Sequence, residues 1–141
     1  MEPRRLGGSK ENAMPKSRPW LAFAAVSGFL AVALGAFGAH GLGETLDAHG
    51  RELWEKAVLY HMFHTVVLLA IAALSDRLPV RPLRFSGGAF VIGIVVFSGT
   101  LYLLALGGPN WLGAITPIGG TAFLAGWAGL VWSAVEAARS H

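Results

Sequence analysis

Cysteine is absent from the chain, which excludes a disulfide framework, a thiolate metal site and a cysteine nucleophile, and leaves the redox compartment unwritten. Charge is scarce as well. Only 13% of the 141 residues are Asp, Glu, Lys or Arg, where about 25% is usual for a soluble domain. From Phe85 to Val135 there are 51 consecutive positions with none. Catalytic motifs are missing too: there is no Gly-x-Ser-x-Gly elbow, no phosphate loop, no His-Glu-x-x-His and no Asp or Glu pair within an apolar run, so hydrolase, kinase and zinc-protease chemistry lose their usual anchors. Ser98-Gly99 beside His64 could imitate a nucleophile and its base, but no acid is placed to orient them. The sequence points to no enzyme. What it has instead is 54% hydrophobic residues and a mean hydropathy of +0.55, the composition of an integral membrane protein of one domain. The pI of 9.8 does not signal nucleic acid, because the net charge is only +3 and the basic residues flank apolar runs rather than alternating with aromatics.

The pattern of apolar runs predicts an all-α, four-helix membrane bundle over residues 20–141, preceded by a disordered basic tail over 1–19 within which Met14 is an alternative start. Trp20 to His40 carries no formal charge over the length that one crossing needs. A cleavable signal peptide is the rival reading of that run, disfavoured because the run exceeds the roughly 7–15 apolar residues of a signal core. A second span is expected over 54–75, after a charged connection from Gly41 to Lys56. Pro79 and Pro82 mark Asp76 to Arg84 as a turn, and the third span follows over 85–106. Gly107-Gly108-Pro109-Asn110 breaks the remaining apolar stretch. The fourth span is expected over 116–138, with Thr116 as cap and Pro117 at the first helical position, where no N–H donor is needed, in preference to a start at Trp111 with Pro117 as a kink. Arg4, Arg5, Lys10, Lys16, Arg18, Arg77, Arg81, Arg84 and Arg139 fall on one side of such a bundle, and Arg51 and Lys56 on the other. This asymmetry predicts that both termini are cytoplasmic.

Lipid tails are as apolar as leucine, so these helices must associate through close backbone approach and interhelical hydrogen bonds. Small residues recur at four-residue spacing at Ala31, Gly35 and Ala39, at Ala89 and Gly93, and at Ala125, Gly129, Ser133 and Ala137, which marks candidate seams within the monomer or between copies. Polar side chains gather toward the exterior end of the spans: His40, His61, His64, Ser98, Thr100, Tyr102 and Thr116. Ionisable groups at such depth normally face the bundle interior and mark a candidate site. One reading is a packing network in which neutral His64 bonds to Ser98 or Tyr102 on the third helix. Others are a quinone or lipid headgroup between His64 and Tyr102, or metal or haem ligation by His61 and His64 with His40.

Four ordered strings carry a family resemblance: Gly35-Ala36-Phe37-Gly38-Ala39-His40, Tyr60-His61-x-x-His64, Phe97-Ser98-Gly99-Thr100-Leu101-Tyr102, and Ile115-Thr116-Pro117-Ile118-Gly119-Gly120 with Gly126-Trp127. Over about Trp20 to Ala138 the chain resembles the YgdD/YwdK-like family, domain of unknown function 423, to which animal transmembrane protein 256 is similar. The resemblance implies a four-helix protein of the bacterial inner membrane, or of the mitochondrion in eukaryotic relatives, with no established activity. His40, His64, Ser98, Tyr102, Thr116 and Pro117 match its pattern, His61 less firmly, and the long tail before Pro19 departs from it. The functional expectation is a structural or accessory membrane protein that binds lipid, a membrane-protein partner or a second copy, with no cofactor and no nucleic acid. The alternative is a redox, metal, haem or quinone-binding module built on the histidine and tyrosine cluster.

Overall fold

The computed structural model describes residues 18–139. The tail and the choice between Met1 and Met14 lie outside them, apart from the last two tail positions, which belong to the first helix. The described residues form four helices, each long and apolar enough to cross a membrane: Arg18–His40, Ala48–Leu74, Val80–Ala105 and Leu112–Arg139. The third is interrupted by a π-helical turn at Ile94–Ser98.

Three helix starts differ from the expected ones, each for a local reason. The second helix begins at Ala48, ahead of Trp54, because Asp47 holds an extended backbone and its carboxylate accepts the Gly50 N–H at 2.7 Å, satisfying one orphan donor of the first turn. The third begins at Val80 rather than Phe85. Pro79 sits at the cap and Pro82 within the first turn, where the missing N–H costs no intrahelical bond. The fourth begins at Leu112 rather than Thr116, with its first turn entered through Pro109, Asn110 and Trp111 carbonyls, so Pro117 is an interior residue. Pro117 cannot donate to the Gly113 carbonyl, and just before it the Thr116 hydroxyl donates to the carbonyl of Leu112 at 3.1 Å. The third helix stops at a glycine in the left-handed region, Gly107 with φ +82°, which lets the Gly107 and Gly108 N–H groups fold back on the Leu104 and Leu103 carbonyls.

The first helix lies against the second, the second against the outgoing part of the third, and the third along the fourth. Burial within the molecule takes 44% of the third helix's most apolar stretch but only 17% of the first helix's, so the third is central and the first peripheral. The glycine seams are built where backbones close in. A Cβ on Gly119 would run into the backbone nitrogen and Cα of Phe97, one on Gly93 into the Phe123 ring, and one on Gly126 into the Phe90 ring at 2.7 Å. On the fourth helix the buried line is Leu112, Gly119, Gly126 and Ser133, seven residues apart, with Gly129 beside it. Of the expected four-residue seam there, Gly129 and Ser133 are buried while Ala125 and Ala137 are only half-buried. On the first helix Ala31 is buried and Ala39 exposed. Gly38 is required by the indole of Trp54, whose Nε1 donates to the Leu34 carbonyl at 3.0 Å. An apolar cluster around Leu68, Ile71, Phe90 and Phe123 and a smaller one around Leu42, Leu46 and Trp54 leave His61, His64 and Thr65 between them along the second helix.

Candidate functional site: two histidines in two environments

His61 and His64 are both buried, and the second helix aims them differently. Three residues at 3.6 per turn separate them by about 60° around the axis, enough to give each its own neighbours. His61 turns to the first and third helices. Its Nε2 lies 3.0 Å from Ser27 Oγ and its Nδ1 3.3 Å from the Tyr102 hydroxyl, while Ser27 Oγ lies 2.6 Å from Thr65 Oγ1. The Thr65 hydroxyl donates to the His61 carbonyl at 2.8 Å.

These contacts permit one order of donors. A carbonyl can only accept, so the Thr65 proton is committed to it and Thr65 Oγ1 accepts from Ser27. Ser27 Oγ therefore accepts from His61 Nε2–H, which leaves the neutral ring's Nδ1 to accept from Tyr102 O–H. Three helices are joined by one directed chain. Both His61 nitrogens are used, so neither is free to ligate a metal without breaking it. Tyr102 is held further by the Trp54 ring, edge-on at a centroid distance of 4.8 Å.

His64 enters an aromatic stack. Its ring lies nearly parallel to that of Phe123 on the fourth helix, centroids 3.6 Å apart and planes 8° apart, with Phe63 edge-on at 5.2 Å. Nδ1 donates to the Tyr60 carbonyl at 2.9 Å, one turn back on its own helix. The expected hydrogen bond from His64 to Ser98 or Tyr102 is therefore not formed: Tyr102 bonds His61, and Ser98 Oγ is buried with no hydrogen-bond partner. Matching depth brought the right helices together, but the helix face selected the other histidine.

The remaining polar residues separate. Thr100 Oγ1 lies 2.7 and 3.0 Å from the Val96 and Phe97 carbonyls of the π turn and 2.8 Å from Thr116 Oγ1, so its single proton is shared between its own helix and the contact to the fourth. His40 ends the first helix and is exposed. Among the described residues no three His, Asp or Glu side chains converge on a point that could hold a metal. Ser27, Thr65 and Phe123 belong to the site and were not expected in it. Ser27 had a signal, as the one hydroxyl residue between Trp20 and His40, and Thr65 lies one turn from His61.

The family model described as a protein of unknown function, DUF423, matches residues 34–120. A UPF0382 membrane protein of Haemophilus influenzae is 44% identical over 119 residues, covering 83% of this chain and 94% of the relative. The UPF0382 inner membrane protein YgdD of Escherichia coli is 42% identical over 123 residues, covering 87% and 94%. A UPF0382 membrane protein of Staphylococcus saprophyticus is 47% identical over 107 residues, covering 76% and 88%. No solved structure matches the chain. The chain belongs to the DUF423 family, and is a small multi-pass protein of the inner membrane whose molecular activity is not established.

Proposed function

We propose that the protein is a non-catalytic accessory component of the inner membrane that engages a membrane partner side-on, with both termini in the cytoplasm. The observation that carries this reading is the first helix. It is fixed along one edge by Ser27, Ala31 and the Trp54 bond, yet exposes Val26, Phe29 and Val32, at 62, 74 and 62%. An apolar face of this kind has only lipid or another helix to meet, while Gly28 and Gly35, on the opposite flank, are already packed against Thr65 and Val58 of the second helix. The hydrogen-bond chain through His61 serves this role by holding the first helix in place.

Because the chain has no cysteine, single cysteines at Val26, Phe29 and Val32 report on this face alone. Bifunctional thiol cross-linking in native membranes should give one adduct of fixed mass from the exposed positions and none from Ala31. Lipid-only labelling at every exposed position would contradict the proposal.

A further inference from the structure

Between the second and fourth helices, across the π turn of the third, runs a groove of about 650 Å³ whose wall includes Tyr60, Phe63, His64, Phe97, Phe123 and Trp127. That volume lies within the range of about 300–1,000 Å³ typical of small-molecule sites. Of the polar side chains on its wall His64 is the buried one and sets the chemical demand, while Tyr60, Thr121 and Trp127 are exposed. Since the Tyr60 carbonyl can only accept, His64 carries its proton on Nδ1, and Nε2 presents a bare lone pair with no partner among the described residues. The residue is 4% exposed, in a setting where an unpaired acceptor is costly.

A ligand that meets this demand must bring an O–H or N–H donor. It must also be neutral, because no Asp, Glu, Lys or Arg lines the groove. Five aromatic rings on the wall favour a planar aromatic body, and the exposed Leu59 and Leu124 at the rim offer an apolar track for a hydrocarbon tail. We propose that the groove binds the ring of a prenylated quinol, with one ring hydroxyl donating to Nε2 of His64. This goes beyond the accessory role of the first-helix face and does not rest on it, since the two surfaces are built from different elements. No electron transfer is implied: the site described is for binding.

The test uses the full chain in phosphatidylcholine nanodiscs under anaerobic conditions. A decyl-tailed benzoquinol, its dimethyl ether and a prenyl alcohol of similar length are titrated while tryptophan fluorescence is followed, with Trp127→Phe identifying the groove signal. The quinol should half-saturate at about one tenth the concentration that its ether needs, the value of one neutral hydrogen bond. His64→Phe, which keeps a ring against Phe123, should abolish that preference. Equal binding of quinol and ether to the unaltered chain would overturn the proposal whether or not the variant folds. Equal binding of the prenyl alcohol would overturn it in favour of a hydroxyl-headed lipid, and a preference that survives His64→Phe would place the acceptor elsewhere.

Discussion

Ser27 and His61 form the interaction that should respond most cleanly to substitution. Ser27→Ala leaves the Nε2–H of His61 without its acceptor and frees Thr65 Oγ1, and should lower bundle stability by about 0.6 to 1.7 kcal/mol, the range of interhelical bonds in membranes. A double-mutant cycle with His61→Ala, read by unfolding in bicelles, should show coupling between the two sites, and additive losses would show that the chain is not a unit. Tyr102→Phe, which removes the longer bond of 3.3 Å, should cost less than Ser27→Ala. At this scale the sequence was only partly readable. Polar residues in an apolar run announce themselves, which is why His61, His64 and Tyr102 stood out. Their pairing depended on a 60° difference in direction that counting depth along a helix does not reveal, and on Phe123, which looks like any other apolar residue until the fourth helix is placed.

Helices three and four meet backbone to backbone at Gly119, where the neighbouring atoms belong to the main chain of Phe97 and cannot move aside as a flexible side chain would. Gly119→Ala should therefore destabilise by about 1 to 3 kcal/mol, the usual cost of overpacking, while Gly88→Ala, with nothing within 4 Å of the added methyl, should be close to neutral in the same unfolding assay. Asp47→Ala should cost about 1 kcal/mol through the lost cap of the second helix, with Asp47→Asn recovering most of it. Charge and breaker clusters made all four elements visible, because they gather at or near the ends of the apolar stretches. The starts were harder. Pro79 caps the third helix, Pro82 occupies its first turn and Pro117 sits inside the fourth, so residue type alone does not fix where a helix begins.

For the molecule in its membrane, the distribution of Lys and Arg predicts cytoplasmic termini: nine fall on the side of the termini and two, Arg51 and Lys56, on the other. Fusing alkaline phosphatase to either end should give an inactive reporter, while insertion between Gly43 and Asp47 should give an active one. Activity at both ends of an uncleaved chain would reverse the topology. Architecture was the most legible level, since the absence of charge over four lengths of about 20 residues leaves few alternatives. The order of packing was not, because apolar side chains facing lipid and facing protein are chemically alike, and it is burial in the assembled bundle that distinguishes the central third helix from the peripheral first.

The π turn at Ile94–Ser98 works as a phase shifter. A helix holding one surplus residue turns everything beyond it by about 100° relative to what came before. Phe90 and Gly93, ahead of the turn, address the fourth helix, while Tyr102, beyond it, swings round to the second and completes the bond to His61. Removing Val95, an exposed residue within the turn, should restore regular winding, and would leave the chain four spans but deprive His61 of its phenol.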